Sequence, residues 1–127
     1  MSDSKILIVD DVNSNLFLLN LLLGNIDAEV IQAESGSSAL EQFKEQSFNL
    51  AILDLYMPTM NGYELACEIR KIEGYESLPI FFLTADAQAS ELIQLCETLK
   101  DSNIIIKPLV KENLYKLIQE HTKLKLK

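Results

Sequence analysis

Five short aliphatic runs punctuate the chain, and a stretch with helical spacing follows each of them. The runs are ILIVD (6–10), AEVIQAES (28–35), NLAILDL (49–55), LPIFFLTA (78–85) and NIIIKP (103–108). The helical stretches are NSNLFLLNLLLGNI (13–26), SSALEQFKEQ (37–46), YELACEIRKI (63–72), QASELIQLCETLK (88–100) and VKENLYKLIQEHTKL (110–124). In these, apolar residues recur three or four apart, as with Leu40 and Phe43, or Leu92, Leu95, Cys96 and Leu99. Asn13 or Ser14 is placed to cap the first helix, and Gly24 lies near its end. YMPTMNG reads as a loop, because Pro58 stops strand pairing and Asn61-Gly62 favours a turn. The terminal KLKLK reads as a frayed basic tail.

The strands are nearly continuous in apolar residues rather than alternating. Such strands are buried on both faces, the habit of a parallel sheet covered by helices. Strand and helix in strict alternation predict a doubly wound, three-layer α/β sandwich. With 127 residues and no linker, repeat or low-complexity segment, residues 1–127 read as one domain.

Composition narrows the function. The chain is 48% hydrophobic and 24% charged, with a net charge of -8. An acidic surface argues against nucleic acid or anionic membrane as a partner, since phosphate binding needs a basic face. Cys67 and Cys96 both sit inside helical patterns, without a CxxC or a Cys/His cluster, and read as core or half-buried thiols. No signal-peptide pattern opens the chain, and LFLLNLLLG is too short to span a bilayer, so the setting reads as cytoplasmic. His121, the single histidine, reads as a surface residue of the last helix.

The chemically capable residues fall at one kind of place. Asp10 and Asp11 end the first strand, Asp54 nearly ends the third, Thr84 comes at the end of the fourth, and Lys107 follows the fifth. In open α/β sheets, ligands bind at the carboxyl edge where strand order reverses. Each residue alone suits an ordinary cap, strand or surface role. Together, three carboxylates in one pocket need cations: two charges about 4 Å apart interact by roughly 4 kcal/mol at an effective dielectric near 20. Three aspartates, one lysine and one divalent ion sum to zero. An all-oxygen site without His or Cys suits Mg²⁺, held by Asp10 and Asp11 directly or through water. A carboxylate beside a hydroxyl, an ammonium and Mg²⁺ suits phosphoryl transfer, with Asp54 able to act as nucleophile.

The set VDD (9–11), DLYMPTMNG (54–62), Thr84-Ala85 and Lys107-Pro108 resembles the receiver domain of two-component response regulators, in order and over essentially the whole chain. The resemblance implies a flavodoxin-like five-stranded parallel sheet of order 2-1-3-4-5. It implies that Asp54 is the phosphoacceptor, taking its phosphoryl group from a phosphohistidine on a sensor histidine kinase or a histidine phosphotransfer protein. Asp11, Asp54 and the Tyr56 carbonyl would ligate Mg²⁺, with Asp10 acting mainly through water. Thr84 and Lys107 would contact phosphoryl oxygens, and the Lys107-Pro108 peptide would be cis. The surface of the fourth helix, fifth strand and fifth helix would switch toward a downstream protein, in a monomer or weak dimer. Such a domain promotes only its own phosphorylation and dephosphorylation and is not an enzyme in the usual sense.

The chain departs from the family pattern at several positions. Ile104 stands where an aromatic usually turns inward. TLKDSN stands where a glycine usually follows the fourth helix, so Asn103 or another non-glycine residue takes a left-handed turn. Tyr56 and Asp86 occupy positions that tune hydrolysis of the phosphoryl group. Ile104 keeps alive an alternative, a degenerate receiver acting as an interaction module. An aspartyl-nucleophile phosphatase would want an acid at Tyr56, and a flavin carrier would want a Gly/Ser/Thr-rich loop where DDVNSN stands. The pattern is compatible with a stand-alone chain and with a piece of a hybrid kinase or multidomain regulator.

Overall fold

The computed structural model describes residues 3–85 and 90–127. Five strands alternate with five helices: β1 (Lys5–Val9), α1 (Asn13–Leu22), β2 (Glu29–Ala33), α2 (Gly36–Glu45), β3 (Leu50–Asp54), α3 (Gly62–Arg70), β4 (Ile80–Thr84), α4 (Glu91–Glu97), β5 (Ser102–Ile106) and α5 (Lys111–His121). The strands form one parallel sheet in the order β2-β1-β3-β4-β5, as the resemblance implies.

The strand pleat explains why the central runs are apolar throughout. Successive side chains point to opposite faces. Leu7, Val9, Ala51, Leu53, Ile80 and Phe82 pack with residues of α2, α3 and α4 on one side. Ile6, Ile8, Leu50, Ile52, Phe81 and Leu83 pack with α1 and α5 on the other. Cys96 belongs to the first core and Cys67 is half-buried, as expected. Burial pushes the Cys96 thiol up to about 12, so it stays protonated and inert. His121 is exposed on α5, with its ring edge-on to Phe81 at 6.4 Å.

Three local expectations are corrected. Neither Asn13 nor Ser14 caps α1; Val12 is the capping position and offers no side-chain bond. Instead Asp10 Oδ1 accepts the Val12 N–H at 3.0 Å, which turns the chain into the helix. The predicted first helix also gives way to a 3₁₀ turn at Leu23–Asn25. Helix α4 is shorter than predicted at its far end, because Thr98 Oγ1 bonds back to the Leu95 carbonyl and Ser102 Oγ donates to the carbonyls of Cys96 and Leu99. A non-glycine residue does take the left-handed turn after α4, as expected: it is Asp101 (φ 58) rather than Asn103, and a short polar side chain tolerates that backbone.

The KLKLK tail is not frayed. Leu124 is buried in the core under α1 and α5, and Leu126 bridges antiparallel to Ile26. Asp27 N–H donates to the Lys125 carbonyl at 2.7 Å and Lys127 N–H to the Asn25 carbonyl at 2.8 Å. Three lysines on alternating positions face out while the leucines are used for packing and pairing.

The loop after β3 is closed by backbone contact. Gly62 N–H donates to the Leu55 carbonyl at 2.9 Å. A Cβ on Gly62 would lie 2.5 Å from the Asp54 carbonyl oxygen and 3.0 Å from Leu55 Cα. Asn61 and Glu64 then cap α3 reciprocally, each side chain accepting the other's backbone N–H. Gly62→Ala is therefore expected to destabilise the fold by about 1–3 kcal/mol, since backbone rather than a flexible side chain must move. Gly24→Ala, with nothing within 4 Å, is expected to change stability by less than about 1 kcal/mol. Urea unfolding of the two variants measures both.

Candidate functional site

Strand register, not local sequence, brings the polar groups together. Val9 pairs with Leu53, so Asp10 and Asp54 emerge side by side. Asp54 pairs with Leu83, which puts Thr84 one residue beyond it on the neighbouring strand. Thr84 pairs with Ile106, and Lys107 N–H donates to the Thr84 carbonyl at 2.8 Å. The Lys107-Pro108 peptide is cis, as the resemblance implies.

Asp10 is 1% exposed, Asp54 9% and Thr84 1%, whereas Asp11 is exposed. One carboxylate oxygen from each of Asp10, Asp11 and Asp54 lies within 4.8 Å of the other two. The lysine reaches in from β5: Lys107 Nζ stands 3.5 Å from Asp54 Oδ1 and 3.9 Å from Asp10 Oδ2. A cleft of about 140 Å³ opens beside them, lined by Asp10, Lys107, Pro108 and apolar residues of α1. Tyr56, half exposed on the rim, directs its hydroxyl to Ser90 Oγ at 3.1 Å. Asp86 lies outside the described residues.

The loop between β3 and α3 is strained where it passes the site. Met60 N–H donates to the Pro58 carbonyl at 2.8 Å, and the residue between them, Thr59, is β-branched with φ 70. Left-handed backbone at such a residue is uncommon and is held by its surroundings. Met57 is buried in the core on one side of this tight turn, and the Gly62–Leu55 bond closes the other.

Electrostatics at the site are unbalanced. Burial and the neighbouring Asp10 push the Asp54 carboxyl up from 3.8 to about 6, against the opposing pull of Lys107. Asp10 Oδ2 is buried and accepts no hydrogen bond; its cationic neighbour is Lys107, beyond bonding distance. Three carboxylates and one ammonium leave two negative charges. A hard divalent cation with oxygen ligands fits that deficit, and Mg²⁺ fits the donor set of Asp10, Asp11 and Asp54.

Comparison with known proteins agrees with this geometry. The response regulator receiver domain family matches residues 6–119. The chain belongs to that family. The receiver is 34% identical over 126 residues to the sensor protein GacS of Pseudomonas syringae pv. syringae, covering 97% of this chain and 14% of GacS. It is 36% identical over 121 residues to the virulence sensor protein BvgS of Bordetella bronchiseptica, covering 91% of this chain and 10% of BvgS. The chain therefore spans a tenth to a seventh of these curated relatives. Among solved structures, chemotaxis protein CheY4 of Vibrio cholerae superposes with a TM-score of 0.86 at 29% identity, covering 94% of this chain and 99% of that one. The chain is thus a phosphoacceptor receiver of two-component signalling, and the interaction-only alternative is not favoured. Among the described residues no helix is long and apolar enough to cross a membrane.

Of the residues singled out from sequence, Asp10, Asp11, Asp54 and Lys107 meet at one point, and Thr84 ends the strand between them. Sequence reasoning missed Ser90, whose link to Tyr56 spans 34 residues and has no local signal.

The raised Asp54 carboxyl sets the sign of a stability effect. Its folded value lies above its unfolded value, so the ionised form opposes folding. That penalty is full above about pH 6 and gone below about pH 4. The displacement bounds the penalty at roughly 3 kcal/mol, and the partly open edge screens some of it. In chelator at pH 7.5, Asp54→Asn is expected to stabilise the fold by about 1–2 kcal/mol. The gain shrinks as pH falls from 6 toward 4, as read by thermal unfolding of both proteins across that range.

Proposed function

We propose that Asp54 is the residue that accepts the phosphoryl group, with Lys107 and Thr84 as its phosphate-contacting partners. The observation that carries this reading is the Asp54 carboxylate held 3.5 Å from Lys107 Nζ inside an acidic cluster with a charge deficit. In the transfer, one Asp54 oxygen attacks phosphorus in line. The P–N bond of the donor's phosphohistidine breaks as the P–O bond forms, and the leaving imidazole keeps its electron pair and takes a proton. Lys107 neutralises charge on the transferring oxygens, and the Thr84 hydroxyl at the next strand end donates to one of them. Asp10, Asp11, Asp54 and the Tyr56 carbonyl would hold Mg²⁺, which when bound would offset the negative charge that otherwise repels a phosphoryl group. Burial of Asp10 and Asp54 keeps these interactions strong.

The donor in this reading is a sensor histidine kinase or a histidine phosphotransfer protein, and the recipient of the signal a downstream protein. The receiver acts in the cytoplasm and has no turnover beyond the formation and loss of its own aspartyl phosphate. Residues 1–127 form the receiver as one domain. Similarity to portions of sensor proteins supports a kinase or phosphotransfer partner.

Intact-mass measurement after incubation with acetyl phosphate and Mg²⁺ tests the assignment. The expected result is a gain of one phosphoryl group that requires Mg²⁺ and is absent in Asp54→Asn. Lys107→Ala is expected to slow uptake by roughly a hundredfold, the scale for losing one charge-stabilising group. Uptake unchanged in Asp54→Asn would reject Asp54 as the acceptor.

A further inference from the structure

Tyr56 and Ser90 join two rims of the site. Tyr56 lies two residues beyond Asp54, in the loop after β3; Ser90 lies six beyond Thr84, at the start of α4. Their hydroxyls share a hydrogen bond of 3.1 Å. Ser90 Oγ has a second duty, accepting the Ile93 N–H at 3.1 Å as the N-cap of α4. A hydroxyl has one donor and two acceptor positions, so both bonds coexist. The Tyr56 ring is therefore tied to the atom that ends helix α4.

We propose that the Tyr56–Ser90 bond is a latch that couples the state of Asp54 to the N-terminus of α4, closed when Asp54 is unmodified and opened when it is phosphorylated. The inference rests on Asp54 as the acceptor. A phosphoryl group on Asp54 brings about two negative charges and three acceptor oxygens to the ends of β3 and β4. The ends of β3 and β4 are locked in register, with Leu55 N–H donating to the Leu83 carbonyl at 2.9 Å, so room for that group comes from the rims beyond them. The latch joins those rims, the loop after β3 and the start of α4, and is already near the outer limit for an O–H···O bond, so a rim shift of a few tenths of an ångström weakens it sharply. Tyr56 is half exposed, so water replaces the lost partner readily. A neutral bond of this kind changes an opening equilibrium by roughly two- to ten-fold, a scale suited to a switch that must reverse. Ile104 on β5, half-buried in the core beneath α4, has no hydroxyl or ring with which to make such a link. Tyr56 is thus a positioning residue for α4, acting through Ser90.

Amide hydrogen exchange at Ile93 reads the latch, with intact mass read on the same samples before and after acetyl phosphate and Mg²⁺. Tyr56→Phe removes the hydroxyl and keeps the ring. In the unmodified protein it is expected to speed Ile93 exchange roughly two- to ten-fold. The same change in a Ser90→Ala background should add nothing, while Ser90→Thr should retain wild-type protection. Phosphorylation should raise wild-type exchange at Ile93 to the Tyr56→Phe level and leave Tyr56→Phe unchanged. Exchange at Ile93 that ignores Tyr56→Phe overturns the latch. So does an equal effect of Tyr56→Phe before and after a confirmed mass gain, which would make the bond structural only. Absence of any mass gain overturns the acceptor assignment itself, and the coupling with it.

Discussion

Asp10 and Asp54 stand side by side because Val9 pairs with Leu53 in a parallel ladder. That pairing cannot slip. A shift of one residue would carry each side chain to the opposite face, moving Leu7 and Val9 out of one core and Ile6 and Ile8 out of the other. Burying several large aliphatic side chains is worth roughly 1.5–3 kcal/mol each, far more than the repulsion between two carboxylates at the edge. The cores therefore dictate where the charges go, and the charges have no route to separate. An isolated pair of strands could relieve the repulsion by fraying; β1 and β3, each flanked by strands on both sides, do not.

The chemistry of the edge follows from that constraint. Negative charge is concentrated in a place that the fold will not let relax, opposite Lys107 just past the end of β5. Such a site favours cations, and it resists a phosphoryl group unless its charge is offset. The same crowding leaves Asp54 only loosely paired: Lys107 is near enough to offset its charge, yet at 3.5 Å it does not hold the carboxylate in a short bond. Around this rigid centre the rims are less constrained. The loop after β3 carries strained backbone at Thr59, and the rim beyond β4 is joined to it through exposed hydroxyls. Rigidity at the strand ends and looseness at the rims together suit a domain whose output is a change in its own surface.

Most of the fold was legible because the strands announce themselves. LAILD and IFFLT are apolar through all but their last position, a pattern that a half-exposed strand cannot have, and a parallel sheet followed from it. The site was legible for the related reason that Asp54 and Thr84 interrupt that pattern at the ends. What escaped was nonlocal. No side chain caps α1; the turn into it is tied by Asp10, a residue already accounted for as a site carboxylate, so Asn13 and Ser14 looked better placed. The KLKLK tail holds only two leucines, and nothing near it reveals that Ile26, a hundred residues earlier, is its partner. The non-glycine left-handed turn after α4 was expected, but its position at Asp101 is set by where Ser102 ties off the helix carbonyls. Residue pairing across 34 positions hid the Tyr56–Ser90 contact in the same way.

An uncompensated charge deficit, fixed by strand register, defines this site. Direct titration of the Asp54 side-chain carboxyl carbon by ¹³C NMR, with and without Mg²⁺, tests it most closely. The expected result is a midpoint of about 6 in chelator and a large drop once Mg²⁺ is added. A midpoint near the ordinary aspartate value of about 4 in chelator, unmoved by Mg²⁺, would contradict it.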